Sequence, residues 1–196
     1  KGLEGIEFTM CWGVKCRRVK SPLLGKHSAY TALAAAAVAF TEGLAWDEVI
    51  CGIERMGSVN RIQVRKGING TAVLDDTYNA SPASTLAALD LLAEMRGRRI
   101  AILGDMLELG SFEEEGHRMV GERAASVADH LIVLGSRAVT IGHEAARLGL
   151  RSVDYSDSSQ EVLAKLTAIF APGDFILVKG SRSLGMESIV EGLVAD

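Results

Sequence analysis

The sequence predicts an α/β fold: a mostly parallel sheet with helices on both faces, preceded by a smaller α+β part. Three observations carry that expectation. Uninterrupted apolar runs (Ile100-Ala-Ile-Leu103, Leu131-Ile-Val-Leu134 and Phe175-Ile-Leu-Val178) alternate with helical patterns, as strands buried on both faces do. Ahead of them, residues 5–20 alternate apolar and polar side chains, the mark of a half-exposed antiparallel hairpin. Hydrophobic residues make up 48% of the chain and aromatics only 5%, so the core must be filled by Ala, Leu, Ile and Val.

Taken in order, the hairpin strands lie on either side of Gly13. A loop over 21–28, with Pro22 and Gly25, leads into a helix over 29–41 that Gly43 closes. A shorter helix over 46–55 carries Asp47 and Glu48 near its positive end. Residues 57–60 turn the chain into a strand over 61–65, and Gly67 to Gly70 form a hairpin turn into a strand opening at Ala72. Ser81 is then the N-cap of a helix, with Pro82 at the first helical position, where a missing N–H costs nothing. Leu86, Leu89 and Ala93 continue at helical spacing. Strands over 99–104, 130–135, 152–155 and 174–179 follow, interleaved with helices over 112–128, 138–148, 158–170 and 186–194. This change of rhythm places a domain boundary near Asp75–Ser81, dividing the chain into 1–75 and 76–196.

Composition excludes several function classes. A formal charge of −4 leaves no basic stripe for general nucleic-acid binding. No apolar segment reaches membrane-spanning length, since the Ala-rich run ending at Phe40 is short and flanked by His27 and Glu42. The N-terminus lacks a signal peptide's pattern and opens inside an apparent strand, so the chain reads as a piece of a longer cytoplasmic protein. Three cysteines without metal-ligand spacing suggest reduced, structural thiols.

Chemistry is expected at the strand tips. Gly104-Asp-Met-Leu-Glu-Leu-Gly110, Gly135-Ser-Arg137 and Lys179-Gly-Ser-Arg-Ser183 each end an apolar strand, and in open α/β sheets such tips form the ligand crevice. Lys179, Arg182 and Arg137 suit a carboxylate or phosphate, and Asp105 and Glu108 could receive an ammonium group. Solvated charges at strand ends are the blander account of any one of them. No G-x-G-x-x-G follows a strand, and Gly25-Lys26 is no Walker A loop because Lys20 stands where its first glycine belongs. His117 and His143 read as surface or packing histidines. His27, ahead of a helix, is the histidine of functional interest.

Leu24-Gly-Lys-His-Ser-Ala-Tyr-Thr31, Asn60-Arg61, Asp75-Asp-Thr-Tyr-Asn-Ala-Ser-Pro82, Leu103-Gly-Asp-Met-Leu-Glu-Leu-Gly110 and Val178-Lys-Gly-Ser-Arg-Ser183 occur in that order. Together they resemble the Mur ligases, and within them the branch that adds D-Ala-D-Ala in peptidoglycan synthesis. The resemblance implies an ATP-dependent, ADP-forming amide ligase, monomeric and assisted by Mg²⁺. Such an enzyme activates UDP-MurNAc-tripeptide as an acyl phosphate for attack by D-Ala-D-Ala. It further implies that residues 1–75 end a central ATPase domain and 76–196 form a Rossmann-like C-terminal domain. By motif, Arg61 would reach the ATP phosphates and Asp76 the ribose, with Tyr78 and Asn79 shaping the hinge between domains. His27 and Thr31 occupy the nucleotide-side helix start. Asp105, Glu108, Arg137, Lys179, Ser181 and Arg182 would face the peptide substrates. The family's His-Asn-x-x-Asn is here His27-Ser-Ala-Tyr-Thr31. A hydroxyl cannot reproduce an amide's two-sided pattern, so weaker adenine recognition is expected. The P-loop and the Mg²⁺-binding acids are not in these residues, so the polypeptide alone should not turn over. A Mur-type ligase with another acceptor and a non-catalytic binding module are the alternatives.

Overall fold

The computed structural model describes residues 2–56 and 62–194. The chain divides into two compact units, Lys1–Val59 and Asn60–Asp196, so the strand carrying Asp75 and Asp76 belongs to the second.

In the first unit, β1 (Ile6–Trp12) pairs antiparallel with β2 (Lys15–Ser21), and Gly13 takes the positive φ of 58° that the tight turn needs. Two helices follow, α1 (Ser28–Thr41) and α2 (Trp46–Glu54). Met10, Val19, Ala32, Ala36, Val49 and Ile53 form the unit's core. Alanines on α1 let the helix approach the hairpin closely. At the rim, Trp12 stacks on Phe40 with ring centroids 5.1 Å apart, and Phe40 meets Trp46 at 4.8 Å.

The cysteines correct one expectation. Cys11 and Cys16 are joined in a disulfide, and Cys51 is the free thiol. The reason is register: the hairpin sets Cys11 directly opposite Cys16, with their Cα atoms 4.1 Å apart. The cysteines therefore lend no support to a reducing compartment. Among the described residues, no helix is long and apolar enough to cross a membrane.

The second unit holds one six-stranded sheet. Its elements are β3 (Gln63–Lys66), β4 (Ala72–Asp76), α3 (Pro82–Ala93), β5 (Arg99–Gly104), α4 (Glu113–Val127), β6 (His130–Leu134), α5 (Val139–Arg147), β7 (Val153–Ser156), α6 (Ser159–Thr167), β8 (Phe175–Lys179) and α7 (Glu187–Leu193). Across the sheet the order is β3-β4-β8-β5-β6-β7, with β3 antiparallel at the edge and every other pairing parallel. Side chains alternate between the faces. Val73, Ile100, Ile102, Ile132, Ile176 and Val178 meet α6 and α7 in one cluster. Leu74, Ala101, Leu103, Leu131 and Leu177, also fully buried, point the other way, the side on which α3, α4 and α5 pack together. Both faces are covered, as the apolar runs predict. Because the strands are parallel, Asp76, Gly104, Leu134 and Lys179 all end along one edge.

Candidate functional site

The β4–α3 connection is built from local hydrogen bonds that its residue types dictate. Thr77 donates to Asp75 Oδ1 through both its N–H, at 3.3 Å, and its hydroxyl, at 2.8 Å. Asn79 Oδ1 accepts from Ala80 N–H at 2.8 Å. Ser81 caps α3: its Oγ accepts from Ser84 N–H at 3.4 Å, while its own N–H donates to Ser84 Oγ at 3.0 Å.

A cavity of about 250 Å³ opens beside this turn. Asp75, Asp76, Thr77 and Tyr78 form one wall, with Gln63, Arg182 and Glu187 completing the lining. The Arg182 guanidinium lies 5.0 Å from the Tyr78 ring centroid, a cation–π contact over a half-exposed ring. Beneath the wall, Lys179 Nζ is 2.6 Å from Asp76 Oδ2 and donates to the Asn79 carbonyl at 2.7 Å. The Lys179 side chain is 1% exposed and that of Asp76 13%. At the β3 edge, Arg65 approaches Asp75 at 3.8 Å. The pocket thus offers carboxylates, a phenol and a guanidinium, a set able to take a polyhydroxylated, anionic ligand.

The neighbouring tips are knitted together by Asp105. Its Oδ1 accepts from the N–H groups of Arg137 and Ala138 at 3.0 and 2.7 Å, and its carbonyl accepts from Ser181 N–H at 3.0 Å. Ser181 Oγ accepts from Leu107 N–H at 2.9 Å. One buried residue therefore ties the ends of β5, β6 and β8 into a single rim, β6 through its carboxylate and β8 through its carbonyl. His117 anchors the same loop from below: its Nε2 accepts from Met106 N–H at 3.0 Å, which leaves Nδ1–H to donate to the Glu113 carbonyl at 2.7 Å. Glu108 is exposed and held at φ 63°, a conformation uncommon for a non-glycine residue. Arg137 reaches Glu113 at 3.4 Å.

The second unit thus brings Asp76, Tyr78 and Arg182 to one cavity, joins Lys179 and Asn79 to Asp76 behind its wall, and gathers Asp105, Arg137 and Ser181 in the adjoining rim. His27 and Thr31, both exposed, are in the first unit, at the start of α1. Arg61 lies outside the described residues. Sequence reasoning gave no hint of the Lys179–Asp76 pair. Opposite charges closing two apolar strands were visible, but that β4 and β8 are neighbours was not.

Comparison with known proteins gives this architecture a family. Residues 60–182 match the family described as Mur ligase, glutamate ligase domain. The chain belongs to the Mur ligase family. It is 35% identical over 194 residues to UDP-N-acetylmuramoyl-tripeptide–D-alanyl-D-alanine ligase of Escherichia coli (strain K12), covering 97% of this chain and 42% of that protein. Against the ligase of the same name from Bacillus subtilis (strain 168), identity is 31%, again over 97% of this chain and 42% of the relative. Among solved structures, MurF from Acinetobacter baumannii superposes with a TM-score of 0.85 at 27% identity, covering 96% of this chain and 42% of that one. MurF from Thermotoga maritima in complex with ADP gives a TM-score of 0.76 at 27% identity, with 90% and 40% covered. The chain therefore spans about two fifths of the length of the Mur ligases it matches.

Proposed function

We propose that this chain is part of an ATP-dependent, ADP-forming ligase that joins D-Ala-D-Ala to UDP-MurNAc-tripeptide in peptidoglycan synthesis. The observation that carries the reading is the Asp76 carboxylate, held in place at the wall of the cavity, in a chain similar to ligases of that name. In this proposal the first unit ends the central ATP-binding domain and the second is the C-terminal domain.

The chemistry follows from the weakness of a carboxylate as an electrophile. Transfer of the γ-phosphoryl group of ATP to the tripeptide carboxylate makes an acyl phosphate and releases ADP. The free amine of D-Ala-D-Ala then attacks the carbonyl carbon, the C–N bond forms, the C–O bond to phosphate breaks, and the amine loses a proton. Asp76 would accept hydrogen bonds from the ribose hydroxyls, with Tyr78 beside it on the cavity wall and Asn79 closing the turn that carries them. His27 and Thr31 would act on the nucleotide from the first unit's sequence, and Arg61 would reach its phosphates from the stretch that opens the second. Arg182 would receive a substrate carboxylate or phosphate, and Glu108, the exposed acid of the rim, the incoming ammonium. Arg137, at the tip of the neighbouring strand, would likewise face the peptide substrates, while Asp105 and Ser181 hold the rim in shape. Mg²⁺ would supply charge neutralisation at the transferring phosphoryl. By the family resemblance, its protein ligands would lie in the part of the complete protein outside these residues. ATP and UDP-linked precursors are cytoplasmic compounds, so the proposal places the enzyme there, as a monomer.

The test is direct. The complete protein is incubated with ATP, Mg²⁺, UDP-MurNAc-tripeptide and D-Ala-D-Ala, and the product mass and ADP release are measured. A product extended by the dipeptide, formed together with ADP, is the expected result. Extension by a different amino acid would favour a Mur-type ligase with another acceptor, and no ATP turnover would favour a non-catalytic module. The 196-residue chain alone is expected to be inactive.

A further inference from the structure

Lys179 stands where the sequence suggests an anion-binding cation at an open strand tip. The structure gives it a different setting. Its ammonium is enclosed, with the Asp76 carboxylate on one side and the Asn79 carbonyl on the other. Register makes the first contact inevitable: Asp76 and Lys179 are paired positions closing β4 and β8, and strand alternation sends both side chains to the face that carries α3. The second contact reaches past the end of β4 to the far side of the turn. One cation therefore pins both ends of the 76–79 segment onto β8. Withdrawing it would leave a largely buried carboxylate and a carbonyl without their partner.

We propose that Lys179 is a positioning residue for the nucleotide, holding Asp76 and the 76–79 turn against β8 so that the ribose-binding wall of the cavity stands ready before the nucleotide arrives. The inference rests on reading the cavity as a nucleotide site, and goes beyond it by giving a role to a residue that touches no ligand. Tyr78 lies inside the pinned turn, so the same restraint sets the ring over which Arg182 is placed. A wall fixed in advance spares the ligand the cost of ordering it.

The test uses the complete protein carrying Lys179→Met, read by ADP titration, by steady-state kinetics and by amide hydrogen exchange. ADP affinity should fall by about tenfold or more, by analogy with the loss found when the partner that orients a metal-binding side chain is removed. KM for D-Ala-D-Ala should stay within about twofold. The amides of Thr77 and Tyr78 should exchange faster, while Ile102 and Leu177 keep their protection. A purely structural lysine would lower thermal stability without separating the two substrates in this way. Should Lys179→Met fail to fold, Asp76→Asn is compared with Asp76→Asn/Lys179→Met, in which no buried charge is left alone. Both should bind ADP about equally weakly, because once the ribose-binding carboxylate is gone the remaining hold on the Asn79 carbonyl has little left to position. Unchanged ADP affinity or unchanged exchange at Thr77 and Tyr78 in Lys179→Met, or a further loss of about tenfold in the double variant, overturns the proposal. A wild-type protein that binds no ADP sinks the nucleotide reading and this role together. A wild type that binds ADP beside an equally tight Lys179→Met sinks only the role of Lys179.

Discussion

Asp105 and Lys179 show how a charged side chain at a strand tip can serve the scaffold. Asp105 points inward because Gly135 leaves room for it: a Cβ at Gly135 would sit 2.5 Å from Asp105 Oδ1, and the backbone there has φ 105°. Gly135→Ala should therefore cost about 2–4 kcal/mol, combining an unfavourable φ with a clash, as a drop in the denaturant midpoint. A variant as stable as the wild type would show that the Asp105 contacts to Arg137 and Ala138 matter little. Glu144 makes a second prediction. Its side chain is 8% exposed and meets Arg147 at 2.6 Å. Hydrogen bonding from the Arg147 guanidinium holds its carboxyl below the ordinary value of 4.5. A carboxyl depressed in the folded state contributes stability above its unfolded pKa and loses it as pH falls through the folded one. Glu144→Gln should thus be less stable than wild type at neutral pH, with the gap closing below pH 4.5. A gap that stays constant across that range would refute the assignment.

At the scale of elements, local signals carry local structure. The apolar runs of β5, β6 and β8 need two covered faces, and they received them. Ser81 and Pro82 announce α3 because a capping hydroxyl and a missing N–H suit only a helix start. Ser81→Ala should accordingly cost about 1 kcal/mol, measured by urea unfolding. A change near zero would mean that Ser84 and the surrounding contacts hold the turn without the cap. What could not be read is pairing between distant strands. Nothing in the sequence says that β8, the last strand, inserts between β4 and β5, so the Lys179–Asp76 contact across that insertion was invisible. The disulfide was hidden for a related reason. Cys11 and Cys16 look like any two thiols until the hairpin register sets them face to face. Asp105 was legible as a tip residue but not as a tie, because its partners are main-chain N–H groups of another loop.

The whole molecule is two cores of unequal strength, and this has a thermodynamic consequence. The second unit buries a six-stranded sheet on both faces, with Lys179, Asp76 and Asp105 joining its strand tips. Among the described residues, the first has a two-stranded hairpin, two helices and a core cluster of six buried hydrophobic residues. Small units bury a smaller fraction of their surface and are correspondingly marginal. Part of the first unit's stability must come from the Cys11–Cys16 link, which by loop-closure entropy contributes about 2 kcal/mol for so short a ring. Calorimetry on the 196-residue chain should therefore resolve two transitions, the lower one belonging to the first unit. Adding a reductant should move only that lower transition downward, because Cys51, the remaining cysteine, is already free. A fragment spanning 60–196 should retain the upper transition unchanged, since its sheet and both helical layers lie within those residues. If the fragment is unfolded, or if reductant shifts both transitions together, the two cores depend on one another and this division of stability is wrong.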